Sequence, residues 1–202
     1  MVVMSRLGII PAGGQAVRFD GIHKELLPCN GDGDTLLDRC IESMTLGRAD
    51  QTLLISNPQK IAIHAERTAG RGLLYKLGCR DLWKSLFAAC QLEYDYYLFA
   101  MPDTYYPVEI FDTDFDGDLT VWLFDTDKPE RFGVVQDGVI WDKCIHATPG
   151  IVHRAYGALA WSRNVVNLWK DQVEHIENHT QAFNLALTHF HPYLKFMDYY
   201  HD

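Results

Sequence analysis

The sequence predicts an α/β fold in which a mixed, mostly parallel central sheet is flanked by helices. Short β-rich runs alternate with helical patterns over residues 7–101, which is typical of strands that run parallel through crossover helices. After residue 104 the strands become shorter, which predicts mixed topology there. No internal repeat, low-complexity tract or linker divides the 202 residues, so we expect one domain over residues 1–202.

Four short apolar runs in the first half are expected to form the parallel strands. The predicted strands are Leu7–Pro11, Gln51–Ile55, Leu73–Leu77 and Tyr96–Met101. Residues that favour helix ends lie between them. The predicted helices are Thr35–Thr45, capped by Asp34 or Thr35; a helix opened by Asn57-Pro58 and closed by Gly70; and a helix capped by Asp81 that carries Leu82, Leu86, Ala89 and Cys90 on one stripe.

The second half combines further strands with two helices. The strands are predicted at Leu119–Phe124, Tyr156–Trp161 and Tyr193–Tyr200, with a hairpin of Phe132–Gln136 and Val139–Trp141 around the turn Asp137-Gly138. Asp-Gly is a strong hairpin signal because both turn positions need positive φ. The helices are predicted after Ser162, with Val165, Val166, Trp169, Val173 and Ile176 at helical spacing, and at Thr180–His189. Trp83, Phe87, Trp169 and Phe190 are predicted to be core residues.

Composition excludes several classes of partner. Lysine and arginine number 18 against 27 aspartates and glutamates, a net charge of −9, and this charge disfavours binding to nucleic acid or to anionic membranes. The five cysteines contain no Cys-x-x-Cys pair, which argues against a disulfide framework and for a reducing compartment. Without a signal peptide or an apolar run of roughly 20 residues, a cytoplasmic location is expected.

Two sequence patterns suggest metal sites but have simpler interpretations. His175 and His179 lie four residues apart on a predicted helix, yet no third zinc ligand accompanies them. The acidic stretch 112–118 repeats Asp-x-Asp, but its twelfth position, counted from Asp112, is Leu123, where a calcium loop of the EF-hand type needs glutamate. A solvated loop is the better interpretation of that stretch.

Small residues and two cations follow the first predicted strand. The run is Gly13-Gly14-Gln15-Ala16-Val17-Arg18-Phe19, and it is followed by Lys24-Glu25-Leu26-Leu27-Pro28. Paired glycines let backbone amides approach an anion without a side chain in the way, and Arg18 and Lys24 supply positive charge. The combination predicts a site for a polyphosphate.

These residues resemble the opening motif of the sugar-1-phosphate nucleotidyltransferases, a family that includes the glucose-1-phosphate thymidylyltransferases. That motif reads Gly-Gly-x-Gly-x-Arg-(Leu/Met/Phe), then Pro-Lys-x-Leu-Leu-Pro, and it is matched by Gly13, Gly14, Arg18, Phe19, Lys24, Leu26, Leu27 and Pro28. Ala16, Val17 and His23 stand where the family has glycine, threonine and proline. The resemblance covers nearly the whole chain and implies a Rossmann-like fold of the nucleotide-diphospho-sugar transferase type.

Other segments extend the resemblance. Met101-Pro102-Asp103-Thr104 is similar to the family's Gly-Asp-(Thr/Asn), which implies that Asp103 is a metal ligand, although Pro102 replaces the glycine. Mg²⁺ takes one or two protein carboxylates and completes its shell with phosphate oxygens and water, so the implied cofactor is magnesium. Tyr200-His201-Asp202 is similar to a segment whose aspartate is a second metal ligand, which makes Asp202 the second candidate.

Two further segments imply an acceptor site. Phe132-Gly133-Val134-Val135, with Asp142-Lys143 downstream, is similar to the family's Tyr-Gly-Val-Val strand and its Glu-Lys-Pro, so Lys143 is expected to contact the acceptor phosphate. Tyr156-Gly157-Ala158-Leu159 is similar to the strand that lines the sugar pocket, although Ala155 replaces the family's asparagine. Tyr156 and Gly157 are therefore expected to bind the acceptor.

The implied reaction joins a nucleoside triphosphate to a phosphorylated small molecule and releases pyrophosphate. Arg18 and the backbone of Ala12, Gly13, Gly14 and Gln15 would hold the outer phosphates, and Lys24 with the Asp103-bound magnesium would stabilise charge at the α-phosphate. The turn from Gly78 to Ser85 is the candidate for base selection, with Asp81 and Ser85 as its polar residues.

Two alternatives remain open at this point. A glycosyltransferase of related architecture would use an Asp-x-Asp pair such as Asp125 and Asp127. A catalytically silent nucleotide-binding domain would account for Ala16, Val17 and Pro102. The sequence does not define the base, the acceptor or the oligomeric state, and a homo-oligomer is compatible with it.

Overall fold

The fold is built on a central sheet with helices on both faces. The structure is a computed structural model, and it describes residues 4–14, 23–78, 81–105, 107–115, 117–142 and 152–197. The strands are β1 (Arg6–Pro11), β2 (Gln51–Ser56), β3 (Leu74–Leu77), β4 (Tyr96–Ala100), β5 (Leu119–Thr126), β6 (Gly133–Gln136), β7 (Val139–Asp142), β8 (His153–Ser162) and β9 (Tyr193–Phe196). The helices are α1 (Leu36–Leu46), α2 (Ile61–Arg67), α3 (Leu82–Ala89), α4 (Arg163–Asp171) and α5 (His179–His189).

The sheet contains both parallel and antiparallel strand pairs. Its strand order is β3-β2-β1-β4-β8-β5-β9, and the β6–β7 hairpin is attached through β8. The pairs β1–β2, β1–β4, β2–β3 and β5–β9 are parallel, whereas β8 runs antiparallel to both β4 and β5. The predicted mixed, mostly parallel sheet flanked by helices is therefore confirmed.

Each face of the sheet carries its own hydrophobic core. The near-continuous apolar runs of the parallel strands are what burial on both faces requires. On one face, Leu7 and Ile9 of β1 pack with residues of α3, α4 and α5, including Trp83 and Trp169. On the other face, Ile10 packs with α1 and with the 3-10 helix Val108–Phe111.

Trp83 and Trp169 are buried, as predicted, and their rings meet edge to face at a centroid distance of 5.6 Å. Phe87 and Phe190 are partly buried against the same core.

Local capping chemistry determines several helix starts. Thr35, one of the two predicted caps, forms a reciprocal capping box with Asp38 at the start of α1. Asp81 and Ser162 cap α3 and α4 through side-chain oxygens that accept backbone N–H groups. The predicted hairpin is confirmed, and its turn residues Asp137 and Gly138 have φ of 53° and 75°, as a turn matched to the twist of the strands requires.

Two helices differ from the prediction. α2 begins at Ile61 and not at Pro58, because the Asn57 side-chain oxygen accepts the N–H groups of Gln59 and Lys60 and holds that segment in a turn. α4 ends at Asp171, and a 3-10 turn at Val173–His175 follows it.

The 3-10 turn changes the phase of the chain, so Val173 is exposed and does not extend the buried stripe of α4. His175 and His179 consequently lie in different elements and do not share a helix.

Within the part of the chain that the structure describes, no helix has the length and apolar character that a membrane span needs.

Candidate active site

The predicted phosphate loop and the predicted metal ligand leave the sheet at the same edge. Strands β1 and β4 are parallel neighbours with Ile9 opposite Phe99, so the segments after Pro11 and after Ala100 emerge side by side. The first segment holds Ala12, Gly13 and Gly14, and the second holds Asp103. Gln15 and Arg18, predicted to complete the loop, lie outside the described residues.

The first residues of the loop are held by the end of β2. The backbone N–H of Ala12 donates to the Ile55 carbonyl oxygen (2.8 Å), and the Asn57 side-chain Nδ2 donates to the Gly13 carbonyl oxygen (2.9 Å). A side chain at Gly14 would meet no described atom within 4 Å. The exposed backbone at Gly14 is therefore open to close approach by a ligand.

Lys24 begins a short 3-10 helix, Lys24–Leu26, which is connected to the end of β2 through His64, a residue that contacts both Glu25 and Ser56. The Leu27 N–H closes this turn on the Lys24 carbonyl oxygen (3.0 Å), and the Leu36 N–H donates to the Leu27 carbonyl oxygen (3.1 Å). The turn is thereby joined to the start of α1. Lys24 itself is half-buried.

Glu25 is buried and ion-paired, which the sequence does not indicate. Its Oε1 accepts hydrogen bonds from Lys60 Nζ (2.7 Å) and His64 Nε2 (3.0 Å). Burial opposes ionisation of Glu25, but the hydrogen bonds from His64 and Lys60 outweigh it and lower its pKa to about 2. The only local signals were a charged residue at the variable position of Lys-x-Leu-Leu-Pro and the four-residue spacing of Lys60 and His64.

Asp103 lies in the turn that follows β4 and is partly buried between the buried Pro102 and Thr104. Nearby, the guanidinium of Arg39 from α1 stacks over the ring of Tyr105 at 5.0 Å. Among the described residues, no group of three or more histidines, cysteines or carboxylates could form a metal centre of the closed, multi-ligand type. A single carboxylate at a strand end nevertheless suits Mg²⁺, which accepts one or two protein carboxylates. Asp202 lies outside the described residues.

The residues predicted to select the base lie together at the end of β3. Gly78 follows β3, and its N–H donates to the Ser56 carbonyl oxygen (2.7 Å). A Cβ at Gly78 would lie 3.1 Å from the hydroxyl oxygen of Ser85, which is buried in α3. Asp81 is engaged as the cap of α3, with Oδ1 accepting from the Trp83 N–H (2.9 Å).

The predicted acceptor residues lie on the neighbouring antiparallel strand. Ala158 of β8 pairs with Ala100, the last residue of β4, so Tyr156 and Gly157 lie at the same edge of the sheet as Asp103. The Tyr156 ring packs edge to face on Phe183 at 6.0 Å, and desolvation raises the pKa of its hydroxyl. Lys143 lies outside the described residues. The alternative carboxylate Asp125 is exposed on β5, opposite Arg154.

Comparison with known proteins finds matches among solved structures. No family model matches the sequence, and no curated protein matches it. A protein of Bacillus anthracis assigned as a glucose-1-phosphate thymidylyltransferase, solved in complex with a sucrose, is similar in structure with a TM-score of 0.82 and 17% identity, covering 98% of this chain and 89% of its own. The inositol-1-phosphate CTP transferase of T. maritima is similar with a TM-score of 0.68 and 14% identity, covering 98% and 86%.

At these identities the likeness concerns the fold. The chain has the Rossmann-like α/β fold of two sugar-phosphate nucleotidyltransferases, the class that its motifs resemble.

Proposed function

We propose that this chain, which has the fold of sugar-phosphate nucleotidyltransferases, transfers a nucleoside monophosphate from a nucleoside triphosphate to a sugar-1-phosphate or a similar phosphorylated acceptor. One observation carries the proposal. The glycine segment after β1 and the segment that carries Asp103 after β4 emerge side by side from the carboxyl ends of adjacent parallel strands, which is where such sheets bind ligands. General membership of this reaction class is supported by both structural neighbours.

The reaction needs little chemistry from side chains. An oxygen of the acceptor phosphate attacks the α-phosphorus, the bond from that phosphorus to the β-bridging oxygen breaks, and pyrophosphate leaves. A phosphate monoester has its second pKa at about 6, so the nucleophile is already largely ionised near neutral pH and no general base is required. Catalysis is then positioning together with stabilisation of negative charge.

The proposed roles follow from charge and place. The backbone N–H groups of the Ala12–Gly14 segment and the guanidinium of Arg18 hold the outer phosphates. Lys24 stabilises the charge that develops around the α-phosphate. This division is supported by the hydrogen bonds that hold the glycine segment on β2. It is also supported by the contact of Glu25, the residue after Lys24, with His64, whose Nδ1 lies 2.8 Å from the Ser56 hydroxyl oxygen at the end of β2.

Base and acceptor are assigned to opposite sides of this centre. The Gly78–Ser85 segment follows β3, on one side of β1, and its Asp81 and Ser85 are the candidates for contact with the base. Tyr156 and Gly157 lie on β8, on the other side of β4, and with Lys143 they would hold the acceptor. The order of the strands supports this arrangement.

Asp103, with Asp202, would hold the magnesium ion. The donor chemistry fits, because Mg²⁺ prefers oxygen ligands and few protein carboxylates. When bound, the ion supplies neutralisation of the triphosphate charge. The contribution of the chain is to keep the Asp103 carboxylate at the end of β4, beside the phosphate loop.

The test is pyrophosphate release in the presence of magnesium. A panel of triphosphates that includes dTTP and CTP should be combined with glucose-1-phosphate, inositol-1-phosphate and related acceptors, because one neighbour is described as a glucose-1-phosphate thymidylyltransferase and the other as an inositol-1-phosphate CTP transferase. Release that depends on both substrates is the expected result. Triphosphate binding in calorimetry without release on any pair would contradict transferase activity and indicate a silent nucleotide-binding domain. Tighter binding of nucleotide-sugars than of triphosphates would indicate a glycosyltransferase.

A further inference from the structure

Four buried polar side chains form a continuous network beneath the candidate active site. Glu25 accepts hydrogen bonds from Lys60 and His64, and the other ring nitrogen of His64, Nδ1, lies 2.8 Å from the Ser56 hydroxyl oxygen. The exposed fractions are 4% for Glu25 and Lys60 and 0% for His64 and Ser56. Because the Glu25 carboxylate accepts from Nε2, the tautomer of His64 carries its proton there.

This network connects the two segments proposed to contact phosphate. At one end, Glu25 is the residue after Lys24 in the same 3-10 turn. At the other end, Ser56 precedes Asn57, the residue whose side chain binds the Gly13 carbonyl oxygen. A Cβ on Gly13 would lie 3.5 Å from the Ser56 carbonyl carbon, so the glycine segment rests directly on this end of β2.

Because of the geometry of the turn, the direction of the Glu25 side chain determines the direction of the Lys24 side chain. A 3-10 helix has three residues per turn, so consecutive side chains leave it about 120° apart. With Glu25 fixed inward on Lys60 and His64, the direction in which Lys24 leaves the turn is fixed as well. The backbone joins this three-residue segment to the start of α1, and the buried side chain of Glu25 anchors it to Lys60 and His64 as well.

Stability alone does not explain a buried ion pair at this place. Removing a carboxylate and an ammonium from water costs free energy that their attraction only partly offsets, and apolar residues of similar volume often serve stability equally well. The network lies directly between the Lys24 turn and the glycine segment. We propose that Glu25, Lys60, His64 and Ser56 are positioning residues that hold Lys24 and the Ala12–Gly14 segment in register for the triphosphate. This inference rests on the proposed function.

The experiment compares Glu25→Gln with the double variant Glu25→Gln/Lys60→Met. Glutamine retains an oxygen that can accept the same hydrogen bonds, but the ammonium of Lys60 is left without its counter-charge. In the single variant we expect kcat for pyrophosphate release to fall on the order of 100-fold, the effect typical of misplacement by about 1 Å, with little change in KM. In the double variant, thermal stability returns toward that of the natural chain and kcat stays low.

Asp118→Asn is the matched control. Asp118 is also a partly buried carboxylate that accepts side-chain hydrogen bonds, from Ser162 and from Asn164 (2.9 Å). Ser162 pairs with Tyr96, the first residue of β4. This cluster therefore lies at the end of β4 that is opposite to the candidate active site. The control should lose stability without loss of kcat.

If Glu25→Gln does not fold, Ser56→Ala is the milder variant, because it removes only the hydroxyl beside His64, and a reduction in kcat of about tenfold is expected.

A second readout needs no activity. In hydrogen–deuterium exchange of the unliganded protein, the amides of Leu26, Leu27 and Ala12 should exchange faster in Glu25→Gln than in the natural chain or in Asp118→Asn. A double variant that recovers kcat together with stability would overturn the proposal, as would a single variant with unchanged kcat. If the natural chain releases no pyrophosphate, the proposed function fails, and faster exchange confined to residues 24–27 would then also overturn the coupling to the glycine segment.

Discussion

Asn57 Nδ2 donates a hydrogen bond to the Gly13 carbonyl oxygen at 2.9 Å, and the Oδ1 of the same side chain accepts the N–H groups that precede α2. One amide therefore fixes both the turn before α2 and the first glycine of the proposed phosphate loop. An amide suits this place because it presents a donor and an acceptor together. A carboxylate of the same shape could still accept the N–H groups that precede α2, but it could not donate to the Gly13 carbonyl oxygen.

The variant Asn57→Asp tests this double role. The acceptor for the turn before α2 is retained, but a carboxylate oxygen now faces the Gly13 carbonyl oxygen and adds negative charge beside the proposed phosphate loop. We expect a loss of stability of about 1 to 3 kcal/mol and triphosphate binding weakened about tenfold or more, measured by urea unfolding and calorimetry. Unchanged affinity would show that Gly13 lies away from the phosphates.

Asp103→Asn tests the proposed metal ligand. Asparagine keeps the size of the side chain but removes the charge that attracts a divalent cation. Pyrophosphate release should fall to background while the melting temperature stays close to that of the natural chain. Asp114→Asn, a change at an exposed carboxylate in the loop before β5, is the control and should leave the rate unchanged. Retained activity in Asp103→Asn would remove this residue from the metal site.

Gly133→Ala tests the packing behind Tyr156, a residue that we propose binds the acceptor. A Cβ at Gly133 would lie 2.2 Å from Tyr156 Cε1, closer than any real contact, so the ring or the β6 strand must move. We expect KM for the acceptor to rise several-fold while KM for the triphosphate changes little. The reason is that the change weakens binding of the acceptor equally in the ground state and in the transition state. An equal rise in both KM values would point to general unfolding of the β6–β7 hairpin, and circular dichroism melting distinguishes the two results.

Much of the fold could be predicted from the sequence, because it depends on local patterns. The apolar strand runs, the capping residues Thr35 and Asp81 and the Asp-Gly turn are all read from a few neighbouring residues. The helices α2 and α4 deviated where a side chain or a 3-10 turn altered the backbone locally. Glu25 could not be predicted, because its partners lie 35 and 39 residues away and pairing across the chain leaves no periodic signal.

The same distinction applies to the candidate site. The glycine pair, Lys24 and Asp103 were found from motif and strand order, and the parallel pairing of β1 and β4 brings the glycine segment and Asp103 to one edge. Their roles stay predictions. The residues that hold these segments in place, such as Asn57, belong to no motif and become visible only through contacts.

Gly78→Ala tests how tightly the proposed base-selecting turn is packed. A Cβ at Gly78 would lie 2.6 Å from Ile55 Cγ2, and overpacking of this kind costs about 1 to 3 kcal/mol. The melting temperature should fall, and discrimination among the four triphosphates should narrow because the turn and Ser85 are displaced. Gly31→Ala is the control, since a Cβ there meets no described atom within 4 Å. Unchanged discrimination in a destabilised Gly78→Ala variant would assign base selection to another part of the chain.

The ionised state of Glu25 in the folded chain should make the free energy of unfolding depend on pH in the acid range. Its pKa is about 2 in the folded chain against an ordinary 4.5, so the folded state binds protons less readily than the unfolded state. The stability that Glu25 contributes is therefore fully present above pH 4.5 and is lost as the pH falls toward 2. The lowered pKa corresponds to about 3 kcal/mol in favour of the ionised folded state. In urea unfolding at a series of pH values, the natural chain should exceed Glu25→Gln in stability at pH 6, and the difference should shrink as the pH falls below 4.5. A difference that stays constant down to pH 3 would mean that the carboxylate of Glu25 does not carry the charge that binds Lys60 and His64 to the Lys24 turn.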